Sequence, residues 1–325
     1  MQRWGKTPLA YAAATGNCQI LELLLDAGAD PNAGDREHDM PLYQAARHGH
    51  DSTMLQLLDR GDEIDDPDAA GHTPLQRATM QGHLELVERL LARGALMQLS
   101  RKNQEPLLIE ATRRGQLDLV KLLLDKGATI EASDSDGRTA LMYAANRDVA
   151  LALLQHGAQV NRRVKGPTAL TYAADSGREE VVELLLDHGA EGEAQRENLP
   201  TALHVAALRG HYKTVELLVN RGAKIEACGP SRITPLLLAV ANGHTEVVKL
   251  LLDRGADIQA SDSGGRTALW LAFLNKDYDI ADLLRARGAK GRNSLVRAIF
   301  GAINLKAELN LVGLSTRKLR AIIQR

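Results

Sequence analysis

Two kinds of short apolar segment alternate along the chain, one rich in alanine and the other rich in leucine. Paired alanines let two helices approach closely, and each leucine-rich segment predicts a second helix. A glycine follows the leucine-rich segments at intervals of 33, 33, 33, 30, 32, 33, 33 and 33 residues. These glycines are Gly28, Gly61, Gly94, Gly127, Gly157, Gly189, Gly222, Gly255 and Gly288. Such a period indicates stacked helix pairs, each too small to bury its own apolar face.

Each unit also carries signals for where its first helix begins and ends. A threonine can cap the helix through its hydroxyl group, and a proline suits the next position, which needs no amide donor. The capping threonines are Thr7, Thr73, Thr139, Thr168, Thr201, Thr234 and Thr267. A second glycine within the unit is expected to end this helix in a left-handed conformation. These middle glycines are Gly16, Gly49, Gly82, Gly115, Gly177, Gly210 and Gly243.

The recurring sequence motif is most complete at residues 201–211 (TALHVAALRGH), and it closely resembles the repeat motif of the ankyrin repeat family. The resemblance covers about residues 4–290. It implies an all-α, ankyrin-repeat solenoid of helix-turn-helix units joined by short β-hairpin-like fingers. Residues 291–325 do not continue the pattern, and we predict a basic helical cap there. The nine predicted units span about residues 1–33, 34–66, 67–99, 100–132, 133–162, 163–194, 195–227, 228–260 and 261–290.

The fifth unit departs from the period. Three residues are missing between Ala145 and Gly157, and Asp148 replaces the middle glycine. Because three residues make most of a helical turn, the helix pair of this unit must be truncated. We predict a local change in stacking that divides the solenoid into repeats 1–4 and 6–9.

The sequence lacks the motifs of catalytic and metal sites. It contains no glycine-rich phosphate loop, His-Glu-x-x-His motif or paired-cysteine zinc spacing, so we expect no enzyme, cofactor or metal. Most of the ten histidines fall at repeat-periodic positions and are predicted to be structural or solvated, with His204 at the family's helix-capping position. Cys18 and Cys228 lie about six repeats apart, which predicts free thiols and a reducing compartment. With no leader or membrane-length apolar run, we expect a cytoplasmic or nuclear monomer.

In the ankyrin family, ligand contacts come mainly from finger tips, the residue before the capping threonine, and the first helix. At the matching positions this chain has nine Lys or Arg and four Asp or Glu, whereas the second helices are rich in Asp and Glu. We therefore predict a basic groove and an acidic back, a field that would steer an acidic partner. One groove position, early in the first helix, is expected to be exposed and holds Tyr11, Gln44, Arg77, Glu110, Tyr143, Tyr172, Val205, Leu238 and Leu271.

Repeats 4 to 6 are the strongest candidate for the partner-binding part of this groove. They combine arginines with tyrosines, and both residue types are enriched at interface hot spots. The predicted partner-binding residues are Arg47, Arg77, Arg113, Arg114, Arg138, Tyr143, Arg147, Arg162, Arg163, Lys165, Tyr172 and Arg209. The finger at residues 62–68 is instead acidic, which predicts a solvated loop or a contact for a basic segment. Nucleic acid is not expected, because the net charge is −1 and no long basic stripe appears.

These observations favour a non-catalytic scaffold that binds another protein through its groove and finger tips, with an acidic segment as the candidate contact at repeats 4–6. Two alternatives stay open. The tail around Ser294–Leu295 and Leu314–Leu319 looks like a SOCS box, which implies an adaptor that recruits a ubiquitin ligase. In the second alternative, the repeats are the targeting module of a longer multidomain protein.

Overall fold

The computed structural model describes residues 7–33, 40–61, 63–68, 70–97, 106–163, 167–192 and 200–290. In these ranges the chain forms eighteen short α-helices, which make nine consecutive pairs. No β-strand occurs there, and isolated bridges between Ser133 and Thr139 and between Ser261 and Thr267 close two finger turns. The predicted all-α repeat fold is confirmed. The tail and the finger residue Lys165 lie outside the described residues.

The two helices of each pair differ in length and composition. The first helices are α1 (Pro8–Thr15), α3 (Pro41–His48), α5 (Pro74–Gln81), α7 (Leu107–Arg113), α9 (Ala140–Tyr143), α11 (Ala169–Asp175), α13 (Ala202–Arg209), α15 (Pro235–Ala241) and α17 (Ala268–Leu274). The second helices are α2 (Cys18–Asp26), α4 (Asp51–Asp59), α6 (Leu84–Ala92), α8 (Leu117–Asp125), α10 (Arg147–Gln155), α12 (Glu179–Asp187), α14 (Tyr212–Asn220), α16 (Thr245–Asp253) and α18 (Tyr278–Ala286).

The chain divides into two compact units, and the boundary falls within the fifth repeat. The first unit comprises Met1–Ala140 with Gln155–Gly157, and the second comprises Leu141–Leu154 with Ala158–Arg325. In the first unit α1, α3, α5 and α7 pack side by side in chain order, and in the second α11, α13, α15 and α17 do the same. Fully buried alanines such as Ala46 and Ala207 allow this close approach, while leucines such as Leu57 and Leu251 fill the space beside them.

His204 shows how one repeat is joined to the next finger. Its ring Nδ1 lies 2.8 Å from the hydroxyl of Thr201, the residue that caps α13. Its Nε2 donates to the carbonyl oxygen of Ile233 at 3.0 Å. Since a carbonyl only accepts, the proton lies on Nε2, and both ring nitrogens of this buried side chain are used. The predicted capping role of His204 is confirmed.

The fifth repeat is truncated, as predicted, but the short helix is its first one, which ends at Tyr143, before the stretch from Ala145 to Gly157 in which the three residues were counted as missing. Helix α10 keeps nine residues, and Asp148 lies inside it, so the prediction that Asp148 replaces the middle glycine was wrong. Helix α9 has four residues, whereas α1 has eight and α7 has seven.

The half-buried guanidinium of Arg178 compensates for the early end of α9. Its Nη1 donates to the carbonyl oxygens of Tyr143 and Ala144 at 3.4 and 2.8 Å. Burial lowers the pKa of this guanidinium, which reflects how far it is withdrawn from water.

Replacing Arg178 with alanine is expected to destabilise the second unit by about 2–3 kcal/mol, because two carbonyl groups lose a charged donor. Urea denaturation followed by circular dichroism measures the loss. Lys213→Ala is the matched control, since Lys213 is exposed and pairs with Glu179 at the surface, and it should cost less than about 0.5 kcal/mol. Similar losses in the two variants would contradict the role given to Arg178.

Candidate partner-binding surface

The residue after the middle glycine links a repeat to the preceding one. In four repeats this residue is a histidine, and its ring Nε2 donates to a carbonyl oxygen near the end of the preceding first helix. The pairs are His50 with Ala14 at 3.0 Å, His83 with Arg47 at 3.2 Å, His211 with Asp175 at 3.0 Å and His244 with Leu208 at 2.9 Å. Of the two roles predicted for these histidines, the structural one is therefore confirmed.

The most exposed of the predicted arginines in the first unit lie where first helices end. Arg113 and Arg114 close helix α7 with 42% and 43% of their side chains exposed. Both approach the carboxylate of Glu110, Arg113 at 3.6 Å and Arg114 at 2.5 Å, so one carboxylate serves two guanidinium groups. Arg47, near the end of α3, is also exposed and makes no ion pair among the residues described.

Arg77 is drawn into the packing of the first unit instead. Its Nη2 donates to Asp68 at 2.7 Å, and its guanidinium lies 5.1 Å from the centre of the Tyr43 ring. The His72 amide also donates to the buried Asp68 carboxylate, at 2.7 Å. Burial acts to raise the pKa of Asp68, but hydrogen bonds from Tyr43, Arg77 and the His72 amide outweigh it, and the pKa is lowered. A buried aspartate, Asp68, thus anchors the end of the acidic finger. The sequence predicted a solvated loop there and did not indicate this anchor.

Other predicted cations are paired with neighbouring carboxylates. Arg138 is 2.7 Å from Asp136 in the first unit. In the second unit Arg163 is 3.0 Å from Glu191, and the half-buried Arg209 at the end of α13 is 2.8 Å from Asp175 at the end of α11. Much of the positive charge counted from the sequence is therefore balanced locally.

The remaining predicted residues of the second unit differ in exposure. Arg147 begins α10 and is exposed, with no ion pair to any residue that the structure describes. Arg162 is half-buried in the finger that follows, and so are Tyr143 and Tyr172 on their helices. The cation best placed for a partner in this unit is therefore Arg147.

The groove position early in the first helix, expected to be exposed in every repeat, is buried in four of them. The four residues are Gln44, Val205, Leu238 and Leu271, each at most 6% exposed. That expectation was wrong because first helices pack side by side, so a side chain at this position is covered by the neighbouring repeat. The exposed surface of these helices lies at their C-terminal ends instead.

The second helices carry paired charges as well. An arginine after a second helix reaches back 34 residues to an aspartate that ends the second helix of the preceding repeat. The pairs are Arg60–Asp26 at 2.8 Å and Arg93–Asp59, Arg221–Asp187 and Arg287–Asp253 at 2.6 Å. The separation into a basic groove and an acidic back is therefore weaker than the residue counts predict.

Among the residues that the structure describes, no group of three or more histidine, cysteine, aspartate or glutamate side chains is arranged to hold a metal ion. In the same ranges no helix combines the length and the apolar character that crossing a membrane requires.

Helix pairs stacked in chain order, joined by backward-reaching side chains, define an α-helical repeat protein. A family model described as "Ankyrin repeats (3 copies)" matches residues 9–101, 42–134, 75–164, 159–228 and 203–294. The chain therefore belongs to the ankyrin repeat family, whose repeats are a general protein–protein interaction module.

Known proteins are similar to parts of this chain. The ankyrin repeat domain of Bcl-3, described as a unique member of the IkappaB protein family, is similar with a TM-score of 0.54 and 29% identity. The match covers 66% of this chain and 99% of that domain. The protein fem-1 homolog A-like of Mus musculus is 52% identical over 54 residues, which are 15% of this chain. The match spans only 8% of the length of that relative.

Proposed function

We propose that this chain is a non-catalytic scaffold that binds an acidic segment of a partner protein through exposed arginines at the ends of its first helices. The observation that carries the proposal is the pair Arg113 and Arg114, exposed side by side and sharing the carboxylate of Glu110. Membership of a family of protein-binding repeats supports a protein as the partner.

The exposure of these two arginines favours contact with a partner. Arg113 and Arg114 keep 42% and 43% of their side chains exposed while they hold Glu110, which is only 13% exposed, so a partner carboxylate can approach the exposed guanidinium groups while Glu110 keeps them in place. Guanidinium groups also bind carboxylates in a planar, two-pronged geometry, which gives specificity. Arg47 adds an exposed cation in the same unit, and Arg147 offers one in the second unit. Arg77 and Arg209 are poorer candidates, because a partner would have to break half-buried pairs.

We also propose an intracellular location. Both cysteines are free thiols, which is typical of proteins kept in a reducing compartment. Cys228 is exposed and Cys18 is partly exposed, so oxidation would be open to at least one of them outside such a compartment.

Affinity capture with charge-reversed chains tests the binding proposal. Arg113→Glu/Arg114→Glu is expected to lose the proteins that wild type captures from a cell lysate, as measured by quantitative mass spectrometry. Arg60→Glu/Arg93→Glu makes the same charge change on similarly exposed arginines that follow second helices, and should keep them. If all three chains capture the same proteins equally, the ends of the first helices are not the binding surface.

Removing residues 291–325 distinguishes the scaffold proposal from the alternative of an adaptor for a ubiquitin ligase. The scaffold proposal predicts an unchanged set of captured proteins for the shortened chain. Loss of ligase subunits alone would instead support the adaptor, in which the tail has a recruiting role.

A further inference from the structure

Among the residues that the structure describes, three other than glycine have a left-handed backbone, and all three lie in repeats 8 and 9. They are Ser231 with φ +58°, Arg232 with φ +57° and Lys276 with φ +60°. A side chain in this conformation costs free energy, because its Cβ comes too close to the following carbonyl oxygen. Backbone strain of this kind is concentrated at functional sites.

Arg232 takes the place of a glycine in the turn of its finger. In three other fingers an aspartate begins the turn, and a glycine three residues later donates its amide to the carbonyl oxygen of that aspartate. These pairs are Asp68–Gly71, Asp134–Gly137 and Asp262–Gly265. In repeat 8 the amide of Arg232 donates to the carbonyl oxygen of Gly229 at 3.1 Å in the same pattern. Glycine therefore holds the aspartate position in this turn, and arginine holds the glycine position.

Packing explains the glycine at position 229 but not the arginine at position 232. A Cβ at Gly229 would lie 3.1 Å from Nε2 of His204, the buried ring that donates to the Ile233 carbonyl oxygen. An aspartate would be crowded there. The side chain of Arg232 is exposed, and it makes no hydrogen bond or ion pair with any residue in the described ranges. Its strained backbone therefore serves no contact within that part of the chain.

Lys276 replaces the middle glycine of repeat 9 in the same way. Gly243 follows helix α15 and donates its amide to the Val240 carbonyl oxygen, and Lys276 follows α17 and donates to that of Phe273. The ammonium group of Lys276 is exposed and has no partner among the residues described. Repeats 8 and 9 thus carry an exposed cation at two positions where glycine would be free of strain.

The charge of both cations is uncompensated in their surroundings. Residues 229–243 and 262–277, which hold the turns and first helices of repeats 8 and 9, contain only the carboxylates of Asp262 and Asp277. Asp262 is buried in an ion pair within its own turn. Asp277 accepts from the amide of Ile280 at 3.1 Å at the start of α18, where the helix dipole offsets its charge. The exposed charge of these ranges is therefore positive.

We propose that repeats 8 and 9 bind an acidic segment of a partner protein, with Arg232 and Lys276 each contacting a carboxylate. The helices that these residues adjoin, α15 and α17, pack against each other, so one extended segment can reach both cations. The amide and hydroxyl of Ser231 make no hydrogen bond as donors to any described residue, and they can donate to the carboxylate at Arg232. This surface is separate from Arg113 and Arg114 and does not rest on the proposed function.

Replacing each cation with glycine separates a binding role from a structural one. Arg232→Gly and Lys276→Gly are expected to raise the midpoint of urea unfolding, because the relief of left-handed strain outweighs the greater freedom of glycine in the unfolded chain. The same substitutions should weaken binding of an acidic segment. A residue that only holds the fold together would instead lose stability when it is replaced.

The probe is a fluorescent peptide of about twelve alternating glutamate and glycine residues, long enough to cross two repeats when extended. Fluorescence anisotropy is measured with the full Arg113→Glu/Arg114→Glu chain, in which the other proposed contact is blocked. We expect saturable binding that each glycine substitution weakens about threefold and the two together about tenfold. Lys213→Gln removes an exposed cation from a second helix of the same unit and should leave the affinity unchanged.

Each contrary result has a distinct meaning. Equal binding with and without Arg232 and Lys276 would overturn the proposal, and so would an equal effect of Lys213→Gln. Lower urea midpoints for both glycine variants would also overturn it, by assigning the two cations to the stability of the fold. If Arg113→Glu/Arg114→Glu alone abolishes binding, repeats 8 and 9 hold no such surface. If that change leaves the wild-type affinity intact while the glycine variants lower it, the proposed function fails and this surface stands.

Discussion

Replacing Gly210 with alanine is expected to destabilise the chain by about 3–4 kcal/mol, whereas Gly222→Ala should cost only about 1 kcal/mol. Both glycines have positive φ, +75° at Gly210 and +86° at Gly222, so both substitutions meet the strain of a left-handed backbone. They differ in the space around them. A Cβ at Gly210 would lie 2.5 Å from Nδ1 of His244, while at Gly222 nothing lies within 4 Å.

The larger loss at Gly210 comes from the displaced histidine ring. Moving His244 breaks its 2.9 Å hydrogen bond to the Leu208 carbonyl, which ties repeat 8 to repeat 7. Urea denaturation of both variants measures the difference. In a His244→Ala background the cost of Gly210→Ala should fall to about 1 kcal/mol, because only the backbone strain remains. Equal costs for Gly210→Ala with and without His244 would show that the ring is not responsible.

Asp68→Ala is expected to destabilise the first unit by about 3 kcal/mol. The substitution removes a buried carboxylate and leaves the Arg77 guanidinium, the Tyr43 hydroxyl and the His72 amide without their acceptor. Asp26→Ala is the control, because it removes an aspartate from an exposed ion pair with Arg60 and should cost at most about 1 kcal/mol. Equal midpoints of urea unfolding for the two variants would contradict the anchoring role of Asp68.

The same aspartate predicts a pH dependence of stability. The pKa of Asp68 is lower in the folded chain than the value of about 3.9 usual in unfolded peptides. Its contribution is therefore fully present above about pH 4 and is lost as the pH falls through the folded-state pKa. The Asp68→Asn chain lacks this titrating group. Its free energy of unfolding should therefore fall less steeply below pH 4 than that of the wild type. Parallel curves for the two chains would contradict the lowered pKa.

Much of the fold follows from local patterns in the sequence. The 33-residue period, the capping threonines and the middle glycines define the helix pairs, because caps and left-handed residues act over only a few positions. Counting residues between Ala145 and Gly157 predicts a truncated helix pair in the fifth repeat, but not that the loss falls on α9, which ends at Tyr143. Arg178 was missed, since nothing in the local pattern says that its side chain reaches carbonyl groups 34 and 35 residues earlier.

The candidate site was harder to predict, because exposure and charge pairing depend on neighbouring repeats. Val205 and Leu238 look like surface positions within one unit, yet both are buried where neighbouring first helices pack side by side. The sequence does hold a signal for the paired charges, since Asp26 precedes Arg60 by 34 residues and Asp187 precedes Arg221 by the same distance. Comparing repeats at an offset of one period plus one residue would have found these pairs.

Photo-cross-linking tests most directly whether a partner contacts the ends of the first helices. Gln81 at the end of α5 and Glu88 on α6 are both exposed and belong to the same repeat. A photoreactive amino acid placed at position 81 should cross-link to the protein captured by wild type, and the same amino acid at position 88 should not. Cross-links from position 88 alone would contradict a binding surface formed by the first helices.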